Sequence, residues 1–107
     1  MPNKLLAPAP DELEISVFGP GYGESILIHA GRGVWLAIDS CIDPVTKRSA
    51  PLTYLEKLGV DPKTSVDLVV ATHWHTDHVR GIYELFTAAS SAKFSCASAL
   101  TRADFLS

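Results

Sequence analysis

The sequence predicts a mixed α/β domain in which antiparallel strands come first and strand–helix units follow. Hydrophobic residues make up 47% of the 107-residue chain and charged residues 20%, which is enough apolar material to bury a core. Short apolar stretches near the amino terminus are separated by glycine-rich turns, as in hairpins. Stretches with helical spacing then alternate with apolar runs. The predicted order is strand, strand, strand, helix, strand, helix, strand.

The amino-terminal part is predicted to form three strands. Leu13, Ile15 and Val17 alternate with polar residues, which is the pattern of a half-buried strand. The second and third strands flank a Gly-Arg-Gly turn at residues 31–33, which indicates a hairpin. Residues 1–11, rich in proline, are interpreted as an extended lead-in to a domain that covers residues 12–107. The predicted strands are residues 12–18, 25–29 and 34–38.

The rest of the chain is predicted to contain two helices and two strands. Pro51 suits the first turn of a helix and Gly59 its end, so a helix is expected between them. Asp61-Pro62 is interpreted as a turn. The continuous apolar run VDLVVA predicts a strand that is buried on both faces. These elements are predicted at residues 51–58, 66–71, 79–89 and 93–97.

Charge and composition limit the classes of partner. The formal net charge of −3 argues against a broad basic surface for duplex DNA, although a bound metal can supply local positive charge. No apolar run approaches the ~20 residues of a membrane helix, and no signal-peptide core precedes the first strand. Cys41 and Cys96 are interpreted as free thiols rather than a disulfide framework. We therefore predict a cytoplasmic protein without a membrane partner.

Three of the four histidines fall in one short segment, His73-Trp74-His75-Thr76-Asp77-His78. Imidazole and carboxylate are common zinc ligands. His73 and His75 are two apart, so in extended backbone they project to the same side and can bind one metal. A turn at the strand end would aim Asp77 and His78 at a second metal. The alternative, surface histidines that bind no metal, fits poorly with so dense a cluster behind an apolar strand.

The segment THWHTDHVRGI resembles the T-H-x-H-x-D-H-x-x-G motif of the metallo-β-lactamase-fold hydrolase superfamily, and Gly81 falls at the motif's glycine. The resemblance implies an αββα sandwich and a zinc-dependent hydrolase that uses a metal-activated hydroxide. It implies that His73 and His75 bind a first zinc and that Asp77 and His78 bind a second, with Asp77 also acting on the attacking water. Iron and manganese are alternatives at such donors.

Two upstream segments extend the resemblance. Ile38-Asp39-Ser40 looks like the family's strand-ending motif, in which the residue matching Asp39 supports the metal-binding loop; a simple turn or capping role is the alternative. GPGYGESILIH and LEKLGVD are similar to the branch that includes the hydrolase domain of competence proteins used in DNA uptake. That branch implies phosphodiester or nucleic-acid substrates, with thioesters, lactones and other small molecules left open.

The resemblance covers residues 13 to 98 and only the amino-terminal half of the family's domain. Whole domains of the family need further ligands, yet no histidine follows His78, and Glu84 and Asp104 are the remaining acidic residues. We therefore expect an incomplete site in a truncated chain, which a missing carboxyl-terminal half or a partner chain would complete. The alternative function is a truncated, non-catalytic metal-binding or interaction module.

Overall fold

The fold is built on a mixed five-stranded sheet. A computed structural model describes residues 6–19, 24–72 and 76–96. Within them the strands are arranged in the order β1-β2-β3-β4-β5, so spatial order follows chain order. The elements are β1 (Glu14–Phe18), β2 (Ser25–His29), β3 (Trp35–Ile38), α1 (Ala50–Leu58), α2 (Pro62–Ser65), β4 (Val66–Ala71), α3 (Thr76–Ala88) and β5 (Lys93–Cys96). The predicted mixed α/β class is confirmed.

The first three strands are antiparallel, as predicted. The β2–β3 turn has positive φ at Gly31, Arg32 and Gly33, a conformation that glycine adopts without strain. His29 reinforces this turn from within the sheet. Its Nε2 accepts a hydrogen bond from the Gly33 amide at 3.1 Å, so Nδ1 donates to the Glu12 carbonyl at 2.7 Å. This histidine is therefore a satisfied core residue rather than a ligand.

The later strands are joined by helical crossovers and run parallel, β3 with β4 and β4 with β5. Helix α1 begins after Ser49, whose hydroxyl accepts a hydrogen bond from the Leu52 amide, and ends at Gly59, which has a left-handed φ of 74°. The predicted turn at Asp61 instead starts the one-turn helix α2, where the carboxylate accepts from the Lys63 amide.

The helices cover one face of the sheet. Strand residues on this face pack with side chains of α1 and α3 into one core. Ile82 and Leu85 of α3 are buried there, as the helical pattern predicted, whereas Phe86 lies at the border. The core comprises Leu27, Trp35, Ala37, Leu52, Leu55, Val66, Val69, Ala71, Ile82, Leu85 and Ala89.

The opposite face of the sheet is apolar but uncovered by any described residue. Strand register places its side chains in rows, for example Ile28 opposite Leu36 and Ile26 opposite Ile38. We call this surface the open face. It comprises Ile15, Val17, Ile26, Ile28, Leu36, Ile38, Leu68 and Val70.

The open face corrects two predictions from the sequence. Strand β1 forms where expected, but its apolar residues are not buried: Ile15 and Val17 are 60% and 69% exposed, because they lie on the uncovered side. Strand β4 is not fully buried on both faces, since Leu68 and Val70 are only half-buried on the same side and Asp67 is exposed. None of the described helices is long and apolar enough to cross a membrane.

Candidate functional site

The histidine–aspartate motif, residues 73–78, connects the end of β4 to the start of α3. His73 and His75 lie outside the described residues. The backbone of Asp77 and His78 is part of α3, but the structure does not describe their side chains. Helix α3 begins at Thr76 rather than at the predicted residue 79, so Asp77 and His78 stand in its first turn. The motif thus follows the carboxyl end of a parallel strand, the edge at which open α/β sheets place ligands.

Asp39 forms hydrogen bonds with Thr72, the residue that precedes the motif. It follows β3, is 6% exposed and has a left-handed φ of 58°. One carboxylate oxygen accepts a hydrogen bond from the Thr72 amide at 2.7 Å, and the other accepts from the Thr72 hydroxyl. The Asp39 amide in turn donates to the Val70 carbonyl at 2.7 Å. This carboxylate therefore fixes the backbone directly before His73, which is compatible with the supporting role predicted for it.

The next residue of the same loop contacts the helix that follows the motif. Helix α3 passes so close to Ser40 that a Cβ added at Gly81 would lie 2.7 Å from the Ser40 carbonyl oxygen. Real Cβ atoms do not approach backbone oxygens so closely, so this contact requires glycine. The glycine of the predicted motif thus has a packing role in this fold.

Hydrogen bonds extend this contact along α3. The Ser40 and Ser49 hydroxyls, both fully buried, lie 2.7 Å apart. The Glu84 carboxylate accepts from the Ser49 amide at 2.6 Å and from Arg48 Nε at 2.8 Å. The Arg48 guanidinium also binds Glu56 of α1 through two hydrogen bonds, and these carboxylates raise its pKa further above the usual value. Arg48 thus joins α1 to α3.

A pocket of about 500 Å³ opens beside Asp39 and Thr72. Its remaining wall combines the polar residues Glu24 and Ser25 with side chains of the open face, so the pocket and the open face are continuous. Cys41, two residues after Asp39, is buried, with its Sγ 3.5 Å from the Ser25 hydroxyl. The pocket is lined by Val17, Glu24, Ser25, Ile26, Ile38, Asp39 and Thr72.

The donor set of the motif suits a metal by its chemistry, because imidazole nitrogens and a carboxylate are ligands that zinc accepts. Outside the motif the described side chains offer no alternative: they contain no group of three or more histidine, cysteine or acidic residues that would hold a metal ion. The part of the chain whose side chains the structure describes thus offers no second candidate metal centre beside the motif.

A family model described as the metallo-beta-lactamase superfamily matches residues 18–101, which is most of the chain. The match includes the whole motif, the Asp39 loop and all of α1 to β5. No curated protein matches the chain.

Proposed function

The chain belongs to the metallo-beta-lactamase superfamily, and from this membership we propose that it carries the motif-bearing half of a metal-dependent hydrolase site. The observation that supports the proposal most directly is that close contacts fix the chain on both sides of the motif. Asp39 holds Thr72 on one side of it, and Ser40 contacts Gly81 on the other. Support of this kind is what a site needs if its ligands are to keep a fixed geometry.

In this proposal His73 and His75 hold one metal, and Asp77 and His78 hold a second. A metal bound there would polarise the scissile bond and activate water for attack at neutral pH. Asp77 would orient the attacking water or accept its proton. Asp39 binds no metal; its carboxylate keeps the Thr72 backbone in place and so sets where the motif starts. Zinc is the proposed metal, with iron and manganese as alternatives.

The proposed substrate is a phosphodiester or a related compound. Support comes from the similarity of GPGYGESILIH and LEKLGVD to the competence-protein branch. Glu24 and Asp39 both line the pocket, so an anionic substrate would need metal to offset their charge. Phosphodiester hydrolysis by this site should therefore depend fully on added metal.

We further propose that a second polypeptide segment, the other half of the sandwich, completes the site by covering the open face. Catalytic zinc usually has three protein ligands, and the motif offers two for each metal. Glu84 is not a free ligand, because its carboxylate oxygens accept from Ser49 and Arg48. The open face runs into the pocket beside Asp39, so whatever covers it also reaches the site.

Zinc content tests this proposal. Purified without added metal, the chain should retain well under two equivalents of zinc after dialysis, and near two would contradict the half-site. In a zinc titration, His73→Ala combined with His75→Ala should weaken binding at least tenfold. Asp67→Asn, an exposed carboxylate on β4, is the matched control and should bind as the unmodified chain does. Equal zinc binding by all three would exclude a metal site at the motif.

The second candidate function is a non-catalytic metal-binding or interaction module. The observation that favours it is the open face, because contiguous exposed apolar patches mark interaction surfaces. The two functions differ in one measurement. With zinc supplied, the hydrolase should cleave bis(p-nitrophenyl) phosphate once the second segment is present, whereas the module should bind that segment without turnover.

A further inference from the structure

One loop contacts the chain on both sides of the histidine–aspartate motif. The β3–α1 loop, residues 39–49, begins with Asp39, which binds Thr72 immediately before the motif. Its next residue, Ser40, packs on Gly81, three residues after the motif ends. At its far end, the Ser49 amide donates to Glu84. The motif is therefore spanned by a single loop whose own ends are joined through the Ser40–Ser49 hydroxyl pair.

The contacts on α3 share one helix face with Asp77. Residues three, four and seven apart lie on the same side of an α-helix. Arg80, Gly81 and Glu84 stand at these distances after Asp77. All three contact the loop: Arg80 donates to the Lys47 carbonyl at 3.1 Å, in addition to the two contacts above. The loop therefore contacts α3 on the side of the helix where the Asp77 backbone lies. These contacts fix how far the helix is rotated about its own axis.

Glu84 is the strongest of these attachments. Its carboxylate accepts hydrogen bonds from two groups of the loop, the Ser49 amide and the Arg48 guanidinium. Hydrogen bonds to a charged group contribute more than neutral ones. Arg48 also reaches Glu56 on α1, so α1 supports the loop from behind. Glu56 thus shares the ion-pair partner of Glu84 but binds it from α1.

We propose that the β3–α1 loop is the positioning element of the motif and that Glu84 is its positioning residue on α3, which sets the direction of the first helical turn. The inference rests on the proposed function for its catalytic meaning, because it assigns the motif residues as ligands. It concerns a residue outside the ligand set, and its structural part is testable without metal.

Hydrogen exchange of the metal-free chain tests the proposal. In Glu84→Ala, the amides of residues 80–82 should exchange at least about tenfold faster, because the first turn of α3 loses a charge-assisted attachment. Alanine favours helix, so reduced helix propensity cannot explain such a change. Exchange in β4 should stay unchanged, whereas a purely structural role would accelerate both elements together. Glu84→Gln keeps an acceptor for the Ser49 amide and should restore most of the protection.

Glu56→Gln is the matched control, since it removes a carboxylate from the same Arg48 but leaves α3 untouched. It should leave exchange at residues 80–82 as in the unmodified chain. The proposal is overturned if Glu84→Ala leaves that exchange unchanged, if β4 changes equally, or if Glu56→Gln matches Glu84→Ala. Should Glu84→Ala fail to fold, Glu84→Asp withdraws the carboxylate by one methylene and should give a smaller increase confined to the same turn.

A cobalt(II) titration adds the link to metal. Glu84→Ala should weaken cobalt binding about tenfold, and Glu56→Gln should leave it unchanged, because only the first change frees α3. Equal affinities in both variants would overturn the positioning role. If the unmodified chain binds no cobalt, the proposal that the motif residues of this chain hold a metal by themselves fails, while the exchange comparison still decides whether Glu84 positions the helix.

Discussion

At the scale of single residues, Asp39 and Ser40 contact the chain on opposite sides of the histidine–aspartate motif. Asp39 adopts a left-handed backbone conformation, which is uncommon for a residue with a side chain and is tolerated best by Asp and Asn. That conformation turns the chain after β3 and lets the carboxylate reach Thr72. Ser40 then presents its carbonyl to Gly81. Two adjacent residues thus fix two points that are nine positions apart in the chain.

Gly81→Ala should destabilise the protein. Alanine is the better helix former by about 1 kcal/mol, yet its Cβ would lie 2.7 Å from the Ser40 carbonyl oxygen, a backbone atom that cannot rotate away. Overpacking of this kind costs about 1–3 kcal/mol, so the clash should outweigh the gain in propensity. Urea unfolding measures the difference. Thr87→Ala, at an exposed position of the same helix, should be neutral or slightly stabilising. A Gly81→Ala protein as stable as the Thr87→Ala protein would contradict the close approach.

At the scale of elements, sequence patterns predicted what is local. Strand β2 and strand β4 form at the predicted residues, because apolar runs between turn-forming residues define both ends. Helix α2 was missed because a single turn has no periodicity to detect. Helix α3 begins three residues earlier than predicted, since residues 76–78 were interpreted as part of the ligand-bearing loop, with Asp77 and His78 as ligands.

In the candidate site, too, local patterns were predictable from the sequence and long-range contacts were not. The motif was predicted from its residue types and spacing, and Asp39 from the resemblance of Ile38-Asp39-Ser40 to the family's strand-ending motif. The attachment of Glu84 to Ser49 was not predicted, because it joins residues 35 positions apart through a backbone amide. No spacing rule reports such a contact. The side chains of the four predicted ligands stay predictions.

Tyr54 makes the packing of α1 on β1 dependent on pH. Its hydroxyl donates to Glu14 at 3.0 Å, and burial, followed by this hydrogen bond, raises its pKa above the usual value of 10.0. A raised folded-state pKa stabilises the fold fully below the unfolded pKa, and this contribution is lost as pH rises through the folded value. The free energy of unfolding should therefore fall more steeply above pH 10 in the unmodified protein than in Tyr54→Phe. Chemical unfolding at pH 9 and pH 11 measures this free energy in both proteins. An equal decrease in the two proteins would contradict this assignment.

At the scale of the whole molecule, the two faces of the sheet differ in whether helices cover them. One face is covered by α1 and α3 and contains the core. The other consists of aliphatic side chains across four strands and is bordered at β5 by the exposed, polar Lys93. Sheets in stable domains bury an apolar face against another layer. The open face therefore offers an apolar surface against which a further layer could pack, as the proposal of a second segment that completes the site requires.

The open face should bind apolar dyes, and single charges should show where the dye binds. We expect the unmodified chain to enhance the fluorescence of anilinonaphthalene sulfonate, which reports exposed apolar surface. Ile15→Lys places a charge on the open face at a position that is 60% exposed, so it should reduce the enhancement several-fold without unfolding the protein. Val45→Lys makes the same chemical change at a loop position that is 86% exposed and lies away from the face. Because lysine would attract the anionic dye at either site, a loss confined to Ile15→Lys can arise only from disruption of the apolar surface. Equal fluorescence from the two variants would show that the dye binds elsewhere and that the open face is not a continuous apolar surface in solution.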